Sequence, residues 1–184
     1  MNERTCTPKL AVLFLLACLP LGVLATDLKL ATVAPEGSSW MKDLRTAGLQ
    51  IRERTGGRVN MKFYGGGIQG TDKKVLRKIR IGQLQGGVFT SNSLEERYPD
   101  ILIYGLPMLF NSQDEVDYVR QKMDAKLTDG LDKAGFASYG FAGGGFAYFM
   151  TGKPVAGLAD LRGQKIWVPE GDQTSYVAMQ ALEL

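Results

Sequence analysis

Histidine is absent from this 184-residue chain, and its two cysteines, Cys6 and Cys18, both lie in the opening stretch. Without histidine the commonest general base, proton shuttle and metal ligand is missing. Serine–histidine triads, histidine zinc sites and papain-like dyads are excluded together. Cysteines confined to the start leave the body of the chain without a disulfide, a reactive thiol or a thiolate metal site. A net charge of +3 is too small to mark a nucleic-acid footprint. Repeats and low-complexity tracts are also missing, which argues against solenoids and disordered tails. Paired acids are equally scarce. Glu95 and Glu96 are adjacent, and adjacent helical residues do not share a face. Asp114, Glu115 and Asp117 suit the first turn of a helix, where negative charge complements the dipole. The catalytic inventory is therefore poor, and no catalytic residue, metal site or cofactor is assigned.

What is present begins with a targeting pattern. Arg4 and Lys9 precede an apolar run from Leu10 to Leu24, and Val23 and Ala25 stand at the −3 and −1 positions of a signal-peptidase site. The run is shorter than the roughly 20 residues a spanning helix needs. Residues 1–25 thus read as a signal peptide cleaved before Thr26, and the product as periplasmic. Leu15-Leu16-Ala17-Cys18 is close to a lipoprotein box, so a lipid anchor at Cys18 is the alternative.

Beyond Thr26 strand patterns alternate with helical ones, which points to an α/β fold. Leu28 to Val33 reads as a strand, followed by the turn Ala34-Pro35-Glu36-Gly37. Ser38 or Ser39 then caps a helix whose buried stripe is expected at Trp40, Leu44, Ala47 and Ile51, ending at Thr55-Gly56-Gly57. Arg58 to Tyr64 alternates as a second strand. Thr71 is expected to cap a helix running to about Ile81, with Val75, Leu76 and Ile79 inward and a solvated basic face. Gly86 to Phe89 is a third strand and Ile101 to Leu106 a fourth. Helices are expected from Asn111 or Ser112, from Asp124 to Lys133 and from Asp172 to Leu184. Further strands are expected at Ala137–Phe141, Phe146–Met150 and Lys165–Val168.

Gly65-Gly66-Gly67-Ile68-Gln69-Gly70 has the G-x-G-x-x-G spacing of a dinucleotide loop. The acidic residue expected about 20 positions on is replaced by Phe89-Thr90-Ser91-Asn92, so a plain glycine-rich turn is the better reading. More telling are the aromatics around Gly143-Gly144-Gly145: Phe141, Phe146, Tyr148, Phe149 and Trp167. Trp167 stands at the C-terminal end of its expected strand, where open α/β sheets place ligands.

Several stretches together carry a likeness: Lys29-Leu30-Ala31-Thr32-Val33-Ala34-Pro35-Glu36-Gly37-Ser38, the Gly-Gly-Arg-Val run at 56–59, Tyr98-Pro99 with Gly105-Leu106-Pro107, and above all Leu158-Ala159-Asp160-Leu161-Arg162-Gly163-Gln164-Lys165-Ile166-Trp167-Val168-Pro169. Through them the sequence resembles the DctP-type solute-binding proteins of TRAP transporters. The resemblance implies a periplasmic-binding-protein-like two-lobe α/β fold that closes on a small solute and passes it to a membrane permease. It implies lobe I over 26–144 and the start of lobe II over 145–184, with the second lobe left incomplete by truncation at the C-terminus. Many family members hold a substrate carboxylate with an arginine at the position of Trp167. Others lie at Phe146-Ala147-Tyr148 and Asn92-Ser93, and all three positions lack arginine here. The expectation is a more apolar, aromatic-lined cleft for an organic acid or a more apolar ligand. Trp167, Tyr148, Phe146 and Trp40 would form its wall, Thr90, Ser91 and Asn92 would supply polar contacts, and Pro35, Glu36 and Gly37 the rim. A non-functional fragment of such a receptor is one alternative and a secreted α/β enzyme another.

Overall fold

The computed structural model describes residues 25–169 and 171–184, so the signal peptide expected at 1–25 lies, up to Leu24 and with Cys18, outside the described residues. Its first half is a parallel sheet of β1 (Thr26–Thr32), β2 (Val59–Tyr64) and β3 (Gly86–Val88), ordered β2-β1-β3. β1 runs beside β2 from Thr26↔Val59 to Ala31↔Tyr64, and beside β3 from Leu30↔Gly86 to Thr32↔Val88. Parallel neighbours require crossovers, and helices α1 (Ser39–Arg54) and α2 (Asp72–Arg80) supply them.

Ser38 caps α1 as expected, its Oγ accepting from Met41 N at 3.3 Å. The inward face is rotated from the expected stripe. Met41 and Gly48 are buried, Trp40 is half-buried and Ala47 is exposed. Gly48 explains the rotation: a β-carbon there would stand 3.0 Å from Phe63 Cε2, so the helix meets β2 through its glycine. Apolar spacing cannot mark a glycine as an inward position. The helix ends where anticipated, with Gly57 at φ +81° donating its N–H to Arg52 O at 2.8 Å. In α2, Val75 is buried against Ala31 and Leu84, forming the core of this half. Lys73, Lys74, Arg77 and Arg80 are solvated, whereas Lys78 reaches back to Gln69 Oε1 at 2.8 Å. Thr71 makes no cap bond through its hydroxyl, contrary to expectation.

The second core forms around Ile101, Leu127 and Leu131. The strand expected at 101–106 is instead a 3-10 helix, Pro99–Gly105. Proline at its first turn supplies a preset φ and lacks only an N–H that would be orphaned anyway. The two expected helices at 111–133 are one, α3 (Gln113–Lys133), with Ser112 Oγ accepting from Glu115 N at 3.3 Å. Asp124 lies inside this helix rather than at the start of a second one, its carboxylate engaged by Tyr104 and Arg120.

Downstream the expected strands at 137–141, 146–150 and 165–168 do not form. A strand is stable only beside partners, and among the described residues the sheet ends at β3. Tyr139 is fully exposed and Met150 is 95% exposed. A short 3-10 turn, Leu158–Leu161, follows. The last helix, α4 (Gln173–Ala181), begins at Asp172, whose Oδ1 accepts from Ser175 N at 3.1 Å.

Candidate functional site

In a parallel sheet ordered 2-1-3 the chain turns to one side after β1 and to the other after β2. The switch point, where open α/β folds place the crevice that holds a ligand, therefore lies beyond the carboxyl ends of β1 and β3. Two of the segments picked out by sequence flank it. Pro35–Gly37 follow β1 and Thr90–Asn92 follow β3, and the Thr32↔Val88 pair sets the two strand ends side by side.

The rim is built rather than loose. Glu36 accepts from Arg45 Nη2 at 2.9 and 2.7 Å, and its Oε1 also accepts from Gly65 N at 3.1 Å. The Arg45 guanidinium holds the Glu36 carboxyl below the usual glutamate range. Gly66 N donates to Ala34 O at 2.7 Å and Gly67 N to Thr32 O at 3.1 Å, so the glycine loop is laced to the β1 turn. A β-carbon on Gly65 would stand 2.6 Å from Glu36 Oε1 and 2.9 Å from Met41 Sδ. Close packing is thus a sufficient reason for that glycine.

Across the crevice, Asp72 is a buried carboxylate at the first position of α2. Its Oδ2 accepts from Thr90 N and Thr90 Oγ1, both at 3.1 Å, and from Ser93 Oγ at 2.7 Å. Asn92 Nδ2 donates to Asp172 Oδ1 at 2.6 Å, joining this turn to the start of α4. Ser91 and Asn92 lie against Gly105, where a β-carbon would stand 3.1 Å from each side-chain oxygen.

The structure brings Thr90, Ser91 and Asn92 together on one turn, whereas the aromatic residues Phe146, Tyr148 and Trp167 are open to solvent. Phe146 is 39% exposed, Tyr148 79% and Trp167 82%, and none lies in a strand. Trp40 is half-buried on α1. Sequence reading missed Asp72, Ser93 and Asp172. Their signal was positional: an acid directly after a glycine loop at a helix start, and an acid at the start of the last helix. An open depression of about 560 Å³ lies between α1 and β2 and includes none of the crevice loops. Two of its cations, Arg45 and Lys62, are already paired with Glu36 and Asp27.

A further network fixes the point where the backbone leaves α3. Arg120 Nε and Nη2 donate to Asp124 Oδ2 at 3.1 and 3.0 Å, and Nη2 also donates to Phe141 O at 2.7 Å. Tyr104 donates to Asp124 Oδ1 at 2.5 Å and meets the Phe141 ring edge-on at 5.9 Å. Burial, reinforced by Asp124, pushes the Tyr104 phenol well above its ordinary range.

Known proteins share this architecture. A protein of Salmonella typhimurium, the uncharacterised YiiZ, is 28% identical over 156 residues, covering 81% of this chain and 46% of its own length. A TRAP periplasmic solute-binding protein of Xanthobacter autotrophicus with bound β-D-galacturonate superposes with a TM-score of 0.76 at 22% identity, over 85% of this chain and 52% of that one. Another, from Pseudomonas putida with bound D-glucuronate, gives 0.74 at 24% identity, over 86% and 52%. These two likenesses show the fold, a parallel α/β lobe of the TRAP solute-binding type. The sequence spans about half the length of these relatives. Residues 30–182 match the family of bacterial extracellular solute-binding proteins, family 7, and the protein belongs to that family, DctP.

Proposed function

We propose that the protein acts as part of an extracytoplasmic receptor that captures a small solute at the crevice beyond β1 and β3 and delivers it to a TRAP membrane permease. Residues 26–144 make up lobe I in this reading, and 145–184 begin lobe II. The observation that carries it is the topology. The β2-β1-β3 order sets Pro35–Gly37 and Thr90–Asn92 on the two sides of one switch point, each held by its own hydrogen-bond network. Those networks give the preorganisation that a binding site needs, because side chains already fixed lose little entropy on binding. Related folds with bound uronates support small polar solutes as the general class.

Trp167, Tyr148 and Phe146 are assigned to the wall that closes over the solute from the lobe II side, with Trp40 behind the rim. Their exposure supports that role, since an apolar surface left open is what closure would bury. Export by the segment 1–25 puts the receptor outside the cytoplasm. Tryptophan fluorescence tests the binding reading, because the protein has only two tryptophans. In a Trp40→Phe background, solute capture is expected to shift Trp167 emission to the blue. A purified protein that carries no solute, and whose emission no candidate solute moves, would refute the receptor role. Recovery from the periplasmic fraction tests export.

A further inference from the structure

Two parts of the chain meet at one polar contact. Asn92 Nδ2 donates to Asp172 Oδ1 at 2.6 Å, across 80 positions of sequence. Among the described residues this is the one hydrogen bond or ion pair that joins 26–144 to 145–184. Neither apolar core draws on a described residue beyond Phe141, and no described residue of α4 is fully buried. Both ends of the bond are fixed before they meet. Asn92 is flanked by Thr90 and Ser93, which are both tied to Asp72 Oδ2. Its Oδ1 takes Ser91 Oγ at 3.4 Å and packs where Gly105 has no side chain, which leaves the amide nitrogen for Asp172. Asp172 Oδ1 is also the cap of α4, accepting from Ser175 N at 3.1 Å, at a helix start where the dipole favours negative charge.

We propose that the Asn92–Asp172 bond is a latch between the lobes: it holds the start of α4 against the turn after β3 and sets the balance of closed and open forms before a solute arrives. This rests on the receptor reading above, which places Asn92 in lobe I and Asp172 in lobe II, and names how that site is controlled. Lobes that share no apolar core move relative to one another by default, so a single strong bond between them decides the balance. A hydrogen bond from an amide to a charged carboxylate, made between groups already in place, favours the closed form by roughly tenfold or more. The bond lies at the switch point, so breaking it opens the lobes on the side where a solute would enter. A bond that only adds stability behaves differently: its loss lowers the melting point and leaves the lobe separation unchanged.

The test reads the lobe separation directly on the full chain. Both native cysteines lie in the opening stretch, so Arg80→Cys and Gln180→Cys, at exposed positions on α2 and α4, can carry a pair of spin labels for pulsed distance measurement. Without solute, the labelled protein is expected to show a short, narrow distance. Asn92→Asp sets two carboxylates against each other and should raise the ratio of long to short distances at least tenfold. Adding Asp172→Asn to that variant exchanges donor and acceptor across the same contact, keeps a cap on α4, and should restore the short distance. Asp172→Ser is the second arm: serine still caps α4 but is too short to reach Asn92, so this variant should open as well. Distances unchanged in both Asn92→Asp and Asp172→Ser, even with a lower melting point, would overturn the latch. An exchanged pair that stays open would overturn it too. Because these distances are read without solute, they judge the latch alone. Variants that open and close as expected, in a protein that carries no solute and whose Trp167 emission no solute moves, would uphold the latch and refute the receptor reading instead.

Discussion

Gly130 sits in the last turns of α3, directly beneath the Tyr98 ring, and the two set up opposed effects of known size. Replacing a helical glycine by alanine ordinarily stabilises a helix by roughly 0.5–1 kcal/mol, because glycine loses more backbone freedom on folding. Here the added β-carbon would collide with Tyr98 Cζ and its hydroxyl and would stand 2.6 Å from Cε1. The ring cannot yield freely, since it packs against the buried Ile101, Leu127 and Leu131. Overpacking of this kind costs about 1–3 kcal/mol. The overlap outweighs the propensity gain, so Gly130→Ala should destabilise the protein by about 1 kcal/mol, a fall in Tm of roughly 2–4 °C at this size. In a Tyr98→Leu background the colliding atoms are gone, and the same substitution should stabilise by about 0.5–1 kcal/mol. Urea unfolding of the four proteins in the cycle measures the change of sign. A Gly130→Ala variant more stable than the parent, with no coupling to position 98, would refute this packing of Tyr98.

Three further outcomes are expected. Ser38→Ala and Ser112→Ala should each cost about 1 kcal/mol in urea unfolding, because each removes a cap that accepts an orphan amide. Thr71→Ala, which removes no such bond, should stay within about 0.5 kcal/mol. Arg120→Lys keeps the charge but loses the fork that spans Asp124 and Phe141 O, and should cost about 1–2 kcal/mol by the same measurement. The last expectation concerns acid. Arg45 depresses the Glu36 pKa in the folded state, so the pair stabilises above glutamate's ordinary value and ceases to do so as pH falls through the depressed one. The difference in urea midpoint between parent and Glu36→Gln should therefore close between about pH 6 and pH 3. A gap that persists in acid would count against the Glu36–Arg45 pair.

What the sequence made legible was local. Ser38 as a cap, Gly56-Gly57 as a stop, and a strand through Val59, Met61 and Phe63 depend on neighbours a few positions away, and each is found, although burial along that strand does not alternate cleanly. The inward face of α1 was misplaced because it is decided by Gly48 meeting Phe63, a contact between elements that apolar periodicity does not encode. The 3-10 helix at 99–105 was misread because its apolar run satisfies a strand pattern while Pro99 favours a helical start. Strands expected at 137–141, 146–150 and 165–168 have the right composition, but composition supplies no pairing partner. The site was half legible. Thr90, Ser91 and Asn92 stand where a β-strand ends, a position readable from pattern. Asp72 becomes visible only when α2 carries it onto that turn, and Asp172 only across the 80-position span to Asn92.

The central place of β1 also dictates the order in which the fold can be assembled. Its contact with β2 is closed by Asp27 and Lys62, 35 positions apart, and its contact with β3 by Lys29 and Gln85, 56 apart. The Asn92–Asp172 contact spans 80. Loop-closure entropy separates the shortest from the longest by only about 0.7 kcal/mol. Entropy therefore ranks these closures weakly, and surface availability ranks them strongly. The β1–α1–β2 unit needs nothing that comes later in the sequence. β3 needs a finished β1 edge with α2 seated over it, and Asp172 needs the turn that β3 leaves behind. Substitutions within 26–64 should therefore slow folding, whereas those at Asn92 or Asp172 should chiefly hasten unfolding.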